Sequence, residues 1–308
     1  MDPIPPAPSL RESRIFGVIW KPGTRTDKAL GYVPSLAPAR RTGNGGRGSL
    51  PHVDSPAQEL LGPIISFFRL VFGFIVLAVG STLVILALVP LLPWRVARIY
   101  VCNFFGKTVG YSIARIAGVT PVVHHRERLN GSMPAIYVGN HNSSVDMFLS
   151  IWLCPYGGCG VLKKEVVRIP VFGILAALSG HLLIDRGNRD RAVEALASTG
   201  AIVKKHKLGI WIMPEGTRSR TTELLPFKKG FVHLAIATGL PIVPVVLHGA
   251  HRNWEAGKFQ FTPITLHIDV LEPIDTSSWR EETSGEHADA VRAVLADRLA
   301  KRAAEAAS

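Results

Sequence analysis

The sequence predicts an α/β domain with a largely parallel central sheet flanked by helices, preceded by an N-terminal membrane-embedded helical segment. Short apolar runs alternate with helical stretches beyond residue 120, which is the pattern of βαβ units. Residues 70–89 contain no charged side chain, and about 20 apolar residues suffice to cross a bilayer core. Hydrophobic residues make up 47% of the 308 residues and charged residues 19%, which excludes a wholly disordered chain.

Residues 1–62 are predicted to form a disordered tail. They are rich in Pro, Gly, Ser and Arg, and no helical or strand period persists among them. A cleaved signal peptide is not expected, because the long apolar run begins only near residue 63. A transit peptide is a further alternative, which the acidic residues Asp2, Glu12 and Asp27 disfavour.

Residues 63–118 are predicted to form membrane-associated helices. Two prolines end the charge-free run, and the next segment carries four basic residues among apolar ones: Arg95, Arg98, Lys107 and Arg115. That mixture is typical of a helix in the lipid headgroup layer. A span with a surface helix and a helical hairpin in one leaflet both fit the pattern, and a buried helix of a soluble core is the less favoured alternative. Basic residues on both flanks leave the orientation open.

Residues 119–308 are predicted to form the α/β domain. Candidate strands lie at 135–139, 160–162, 181–184, 209–213, 242–247 and 264–270. Candidate helices lie at 145–153, 172–179, 189–205, 230–238 and 286–303. Active sites of such sheets gather at the carboxyl ends of the strands. The polar residues of interest fall mostly at those ends.

The first candidate site follows the apolar run 135–139. His141 comes directly after this predicted strand, and Asp146 lies in the first turn of the next predicted helix. A helix N-terminus favours the ionised carboxylate, which can fix the tautomer of the imidazole and stabilise the imidazolium. The pair suits the removal of a proton from an alcohol that attacks an acyl carbon. Taken alone, the pattern also fits a helix start capped by a neighbouring Asn or Ser, with His141 as a loop residue.

The second candidate site follows the strand predicted at 209–213. Gly216 allows a sharp turn, and Arg218 can grip a phosphate through two N–H groups, to which Thr217 can add a donor. Glu215 can orient the arginine or accept a hydrogen bond from a substrate hydroxyl. A surface turn with a capping Glu–Arg pair is the alternative for this motif alone.

Further cations stand close to strand ends. Lys163 and Lys164 end one predicted strand, and Arg186 follows another. Each fits either a phosphate contact or an exposed charge that pairs with a nearby carboxylate. Lys228 and Lys229 follow the second site, and they fit either a solvated helix start or the same anion site.

Together these motifs resemble the glycerolipid acyltransferase family, and most closely its 1-acyl-sn-glycerol-3-phosphate acyltransferases. The resemblance covers about residues 95–250, roughly half of the chain. It rests on four blocks in the family's order: Asn-His-x-Ser-x-x-Asp at 140–146, Ile-Asp-Arg at 184–186, Pro-Glu-Gly-Thr-Arg-Ser at 214–219 and Pro-Ile-Val-Pro-Val at 241–245. One departure is His-Leu-Leu-Ile-Asp at 181–185, where a large aromatic is expected.

The resemblance implies the transfer of an acyl group from acyl-CoA or acyl-carrier protein to the sn-2 hydroxyl of lysophosphatidic acid. The product is phosphatidic acid, an intermediate of phospholipid biosynthesis. It implies no metal, no other cofactor and no covalent acyl-enzyme. It assigns the general base to His141, with Asp146 as partner, and phosphate binding to Arg218. The other residues it assigns to substrate binding are Lys163 or Lys164, Arg186, Glu215, Gly216 and Thr217.

The net charge and the cysteine content indicate which binding partners and which cell compartment to expect. The chain carries 35 Lys and Arg against 23 Asp and Glu, and its net charge of +12 suits anionic lipid surfaces and anionic substrates. No nucleic-acid-binding signature is present, so nucleic acid is not an expected partner. Cys154 and Cys159 lack the spacing of a tetrahedral metal site. Three cysteines are too few for a disulfide framework, so we expect the catalytic domain to face the reducing cytoplasm. Together with the apolar run at 70–89, this predicts a membrane protein with a cytoplasmic catalytic domain.

Two other functions fit the same residues. A sister acyltransferase would act on glycerol-3-phosphate or on another lysolipid, because the basic cluster selects a phosphate without selecting the rest of the acceptor. A catalytically silent membrane lipid-binding protein is the alternative from another class, and the intact His141 and Asp146 argue against it. Ser143 or Ser144 as a nucleophile is disfavoured, because neither lies in a Gly-x-Ser-x-Gly turn.

Overall fold

The computed structural model describes residues 56–185, 189–219, 223–254 and 260–307 of the chain. Most of the tail predicted for residues 1–62 lies outside this part. Residues 56–62 of this predicted tail belong instead to the first helix, α1, which spans Pro56–Leu88. The predicted boundary is therefore about two turns too late. Proline suits the first turn of a helix, where its missing N–H has no partner to lose.

The N-terminal part is a pair of helices. A 3₁₀ turn, Val89–Leu91, follows α1, and α2 spans Arg95–Ile116. Among the described residues, Gly62–Leu91 is the one helical stretch long and apolar enough to cross a membrane, with a mean hydropathy of 2.7 and 11% of it buried. Its apolar side chains face outward, which is unlike a core helix. Large exposed side chains on α1 include Phe67, Phe68, Phe72, Phe74, Leu83 and Leu86.

Two of the basic residues of α2 bind the protein's own carbonyl groups. Arg95 donates to the carbonyl of Gly180 at 2.9 Å, and Arg98 donates to that of Leu178 at 2.8 Å. The last carbonyls of a helix lack intrahelical partners and attract cations. These two guanidinium groups thus fasten α2 to the end of a later helix, α5 (Phe172–Leu178), rather than being free for lipid headgroups.

The remaining elements alternate between strands and helices. Two more 3₁₀ turns occur, at Lys164–Arg168 and Ala250–Arg252. The strands are β1 Val119–His124, β2 Ile136–Gly139, β3 Gly158–Lys163, β4 Leu182–Ile184, β5 Gly209–Ile212, β6 Ile242–Leu247 and β7 Ile264–Val270. The helices are α3 Glu127–Gly131, α4 Val145–Leu153, α5 Phe172–Leu178, α6 Arg189–His206, α7 Gly230–Thr238 and α8 Ser284–Ala307.

The strands form one sheet in the order β1-β7-β6-β2-β5-β3-β4. All neighbouring pairs are parallel except β6 and β7, which are antiparallel. This confirms the predicted α/β fold with a largely parallel sheet. The sequence does not predict β1, because this edge strand is mostly half-buried and contains Pro121, so it lacks the continuous apolar run of the central strands.

The sheet is covered on both faces, which explains the unbroken apolar runs of its central strands. Ile136 and Val138 of β2 pack into one hydrophobic cluster, whereas Tyr137 between them packs into the other. Successive side chains of a strand point to opposite faces, so a strand buried on both sides needs apolar residues at every position. β2, β5 and β6 are buried at every residue.

The parallel strands place their carboxyl ends at one edge of the sheet. The segments that follow β2, β3, β4, β5 and β6 therefore share this edge, which carries both candidate sites. Helix α2 presses against α4, the helix that starts at this edge. A Cβ added at Gly110 of α2 would lie 2.5 Å from the carbonyl oxygen of Phe148, so only glycine allows this approach. The apolar N-terminal pair is thus packed directly on the helix that carries Asp146.

Candidate active site

The structure brings His141 and Asp146 into contact. β2 ends at Gly139, and the loop after it leads into α4, which carries Asp146 in its first turn. Nδ1 of His141 lies 3.2 Å from Oδ2 of Asp146. The carboxylate side chain is fully buried, whereas the imidazole is 20% exposed. An accessible imidazole in contact with a buried carboxylate is the arrangement that the spacing of the two residues predicts.

The Asp146 carboxylate also holds the loop that carries the histidine. The same Oδ2 accepts hydrogen bonds from the backbone N–H groups of Asn142 and Ser143, both at 2.7 Å. Both bonds come from the loop that leads into α4, so the carboxylate ties the loop to the start of this helix. An ionised carboxylate at Nδ1 selects the tautomer with the proton on that nitrogen, which leaves Nε2 of His141 as the proton acceptor.

Glu215 of the second motif fixes the backbone of His141. Its carboxylate accepts from the N–H of His141 at 2.7 Å through Oε1 and from the N–H of Leu225 at 3.0 Å through Oε2. The residue is 3% exposed. Burial raises the pKa of Glu215, and the two backbone bonds oppose this rise. Both oxygens are turned to backbone groups, so this carboxylate positions the histidine rather than facing a substrate or Arg218.

Two further contacts join the motifs. The N–H of Ser219 donates to the carbonyl oxygen of His141 at 2.8 Å, so both backbone groups of His141 are bonded to the segment 215–219. Nη1 of Arg218 donates to the hydroxyl of Ser144, which immediately precedes α4. The guanidinium group of an exposed Arg218 is thereby placed beside the loop of the candidate base. Thr217 is exposed in the same turn.

The side chains of the adjacent residues Lys228 and Lys229 extend to different parts of the structure. Gly216 has a φ of +72° in the left-handed region, and a Cβ added there would lie 2.9 Å from Cε and 3.0 Å from Nζ of Lys228. The Lys228 side chain therefore lies along the turn that carries Arg218. Nζ of Lys229 instead lies 3.1 Å from the position of a Cβ at Gly285, near the start of α8. Of the two alternatives for these lysines, Lys228 fits the anion site and Lys229 does not.

Lys163 and Lys164 lie at the same edge, where β3 ends. Nζ of Lys163 is 3.6 Å from Glu165, and Nζ of Lys164 is 3.7 Å from Asp185. Within the described residues, no hydrogen bond or ion pair joins either lysine to the His141 loop or to Arg218. Arg186, the remaining predicted site residue, lies outside the described residues.

Asn140 has a role that the sequence does not reveal. Its amide donates to the carbonyl of Leu247 at 3.0 Å and accepts from the N–H of Leu247 at 2.8 Å. This pair of bonds continues the β2–β6 ladder by one side chain and fixes where the chain leaves the sheet. The one hint in the sequence is the place of Asn140 directly after an apolar strand, because an Asn that is buried there needs partners on both amide atoms.

The serines and cysteines take structural places. Ser143 donates to the carbonyl of Trp254 at 3.2 Å, and among the described residues neither it nor Ser144 is hydrogen-bonded to the imidazole of His141. Cys154 and Cys159 are buried free thiols, and burial raises the pKa of Cys159 to about 11. Within the described ranges, no group of three or more His, Cys, Asp or Glu side chains is arranged to hold a metal ion.

The chain is similar in sequence to known acyltransferases. The family model described as Acyltransferase matches residues 120–248. A 1-acyl-sn-glycerol-3-phosphate acyltransferase of Cocos nucifera is 38% identical over 236 residues, which are 77% of this chain and 76% of that protein. One of the same name from Limnanthes douglasii is 38% identical over 216 residues, 70% of this chain and 76% of that protein.

A solved structure shares the fold. The crystal structure of the 1-acyl-sn-glycerophosphate (LPA) acyltransferase PlsC from Thermotoga maritima matches with a TM-score of 0.66. The match covers 80% of this chain and 98% of that one, at 22% sequence identity. At this identity the likeness supports the α/β architecture.

The buried Glu215 carboxylate makes a pH-dependent contribution to stability. Its pKa is raised in the folded state, so the folded protein holds the proton more tightly than the unfolded chain. The contribution of Glu215 to the free energy of unfolding is therefore largest below its ordinary pKa of 4.5 and falls as the pH rises through the raised value. In Glu215→Gln the group cannot titrate, so the stability difference, wild type minus variant, should shrink from pH 4.5 towards neutrality.

Unfolding of the two detergent-solubilised proteins across that pH range measures this difference. A difference that grows with pH would contradict the assignment of a raised pKa to Glu215.

Proposed function

The chain belongs to the 1-acyl-sn-glycerol-3-phosphate acyltransferase family, and from this we propose that it acylates the sn-2 hydroxyl of 1-acyl-sn-glycerol-3-phosphate. The product is phosphatidic acid, so the reaction serves phospholipid biosynthesis. The acyl donor is acyl-CoA or acyl-carrier protein, and the reaction uses no cofactor or metal. The observation that carries the proposal is the contact between His141 and a fully buried Asp146, with the Arg218 guanidinium beside the same loop.

The dyad supplies the proton transfers of the proposed reaction. Nε2 of His141 takes the proton of the acceptor hydroxyl while the hydroxyl oxygen attacks the thioester carbonyl carbon. The C–O bond forms, the C–S bond breaks, and the imidazolium returns its proton to the leaving thiolate. Asp146 stabilises the imidazolium in between, because its ionised carboxylate faces Nδ1. Proton transfer by a positioned base of this kind contributes about 10²–10⁴ to a rate.

The cations orient the acceptor. Arg218 and Lys228 lie on one turn, and the guanidinium group contacts Ser144 next to the His141 loop. A phosphate bound by these groups brings the glycerol hydroxyl towards the imidazole, which lowers the entropic part of the barrier. Lys163 or Lys164 assists after leaving its present carboxylate partner. Arg186 is assigned to phosphate binding by the resemblance of the Ile-Asp-Arg block at 184–186 to that of the family.

The helix pair seats the site at a membrane. Both substrates carry acyl chains, and α1 exposes large apolar side chains along its length. Because α2 packs on α4 through Gly110, the membrane-facing pair and the dyad form one packed unit. The catalytic domain faces the cytoplasm, where acyl thioesters and reduced cysteines are found together.

His141→Ala tests the proposal. Turnover of 1-acyl-sn-glycerol-3-phosphate with acyl-CoA or acyl-carrier protein should fall by about 10²–10⁴, because the base is lost. The assay uses washed membranes in which equal protein levels are verified. His206→Ala is the matched control, since His206 is an exposed histidine at the end of α6 and should leave turnover unchanged. A His141→Ala variant with normal turnover would end the assignment of the base.

An acceptor panel in the same assay separates the alternative functions. Preference for lysophosphatidic acid is the expected result. Turnover restricted to glycerol-3-phosphate or to another lysolipid would identify a sister acyltransferase instead. Absence of turnover with every acceptor and both donors would favour a silent lipid-binding protein.

The anion site predicts a split between the two adjacent lysines. Arg218→Ala and Lys228→Ala should each raise the KM for the acceptor about 10-fold or more, since a hydrogen bond to a charged group contributes about 1.5–3 kcal/mol. The KM for the acyl donor should change little. Lys229→Ala is the matched control and should leave the acceptor KM unchanged, because its ammonium group lies near Gly285. Equal effects of the two lysine variants on acceptor KM would refute the place given to Lys228.

A further inference from the structure

A second histidine lies on a segment that is hydrogen-bonded to the loop of the dyad. His251 sits in the 3₁₀ turn Ala250–Arg252, which follows β6 at the edge of the sheet that carries the site. The segment is held in place by two anchors. Asn253 donates to the carbonyl of Ala117 at 2.7 Å, and the carbonyl of Trp254 accepts from Ser143 of the dyad's own loop at 3.2 Å.

Three buried polar atoms of this turn, of the dyad's loop and of the start of α4 lack a hydrogen-bond partner among the described residues. They are Nδ1 of His251, Oδ1 of Asp146 and Oδ1 of Asn142. Asn142 and Asp146 are neighbours, because the N–H of Asn142 donates to the other carboxylate oxygen at 2.7 Å. Buried polar atoms are nearly always paired, so these unpaired atoms, one of which belongs to the Asp146 carboxylate, require an explanation.

The electrostatics show that His251 lies within the field of Asp146. Burial lowers the pKa of His251 most, Arg252 of its own turn lowers it further, and only the charge of Asp146 opposes them. The imidazole is therefore neutral near pH 7 and carries one proton. When this proton is on Nδ1, His251 is a hydrogen-bond donor. The other two unpaired atoms, Oδ1 of Asp146 and Oδ1 of Asn142, are acceptors.

We propose that His251 is a positioning residue for the dyad and that its Nδ1–H binds one buried water shared with Asp146 and Asn142. The water accepts from His251 and donates one hydrogen to each of the two side-chain oxygens. All three unpaired atoms are then satisfied, and a water with three polar partners is typical of protein interiors. Oδ1 of Asp146 is thereby held while Oδ2 serves His141. The inference rests on the proposed function, because it concerns the same proton transfer.

Three variants of His251 separate a donor at Nδ1 from mere packing. The amide nitrogen of Asn takes the place of Nδ1, that of Gln takes the place of Nε2, and Phe keeps a ring without a donor. We expect His251→Asn to keep at least half of the wild-type kcat, whereas His251→Gln and His251→Phe lose about tenfold. The acceptor KM should change less than twofold in all three.

The pH–rate profile supplies a readout that a packing role would not move. Loss of the donor makes the Asp146 carboxylate hold the imidazolium of His141 more strongly. The acid limb of the kcat profile should therefore move to higher pH in His251→Phe and His251→Gln and stay in place in His251→Asn. The charged groups around His141 are Asp146 of α4 and Glu215 and Arg218 of the segment after β5, and none of them is altered.

Modification of His141 by diethyl pyrocarbonate gives the same information without turnover. Mass spectrometry follows its labelling between about pH 5 and 8. The pH of half-labelling should rise in His251→Phe and not in His251→Asn. Equal losses of kcat in the Asn and Gln variants, an unmoved labelling curve in His251→Phe, or a raised acceptor KM would each overturn the proposal. Failure of wild-type turnover with every acceptor would end the proposed function, and the labelling curve would still decide the role of His251.

Discussion

The candidate site depends on one buried carboxylate. Asp146 is fully enclosed, and a single oxygen of it receives two backbone N–H groups and the ring of His141. A buried charge is costly unless such bonds satisfy it. The same bonds that make the charge tolerable therefore shape the loop and orient the imidazole. Glu215 repeats this principle from the other side, since its buried carboxylate grips the backbone of His141.

The apolar helix pair and the candidate site are joined through one helix contact. α2 approaches α4 so closely at Gly110 that the backbones of the two helices are nearly in contact, and α4 carries Asp146 of the dyad in its first turn. Arg95 and Arg98 bind carbonyls at the end of α5, which ties the same helix to a second part of the α/β domain. With the proposed membrane attachment, a rigid connection of this kind fixes the depth of the site relative to the lipid surface, whereas a flexible linker would not.

The sequence predicts the fold class and the dyad because both arise from local patterns. Continuous apolar runs are typical of parallel strands that are buried on two faces, and His141 and Asp146 lie close together in the sequence. Contacts that the sheet creates between distant segments are not visible in this way. The bonds of Asn140 to Leu247 and of Glu215 to His141 require the strand order, and the different directions of Lys228 and Lys229 depend on where α7 starts. The start of α1 and the edge strand β1 were missed, because neither has a continuous apolar pattern.

The most direct test of the account is the kinetics of Asp146→Asn. The amide oxygen can still accept from the N–H groups of Asn142 and Ser143, so the loop is kept while the negative charge behind His141 is removed. The account predicts a fall in kcat of about 10²–10⁴, with little change in acceptor KM or in the unfolding temperature. A variant that folds and turns over like the wild type would contradict the claim that this buried carboxylate drives the base.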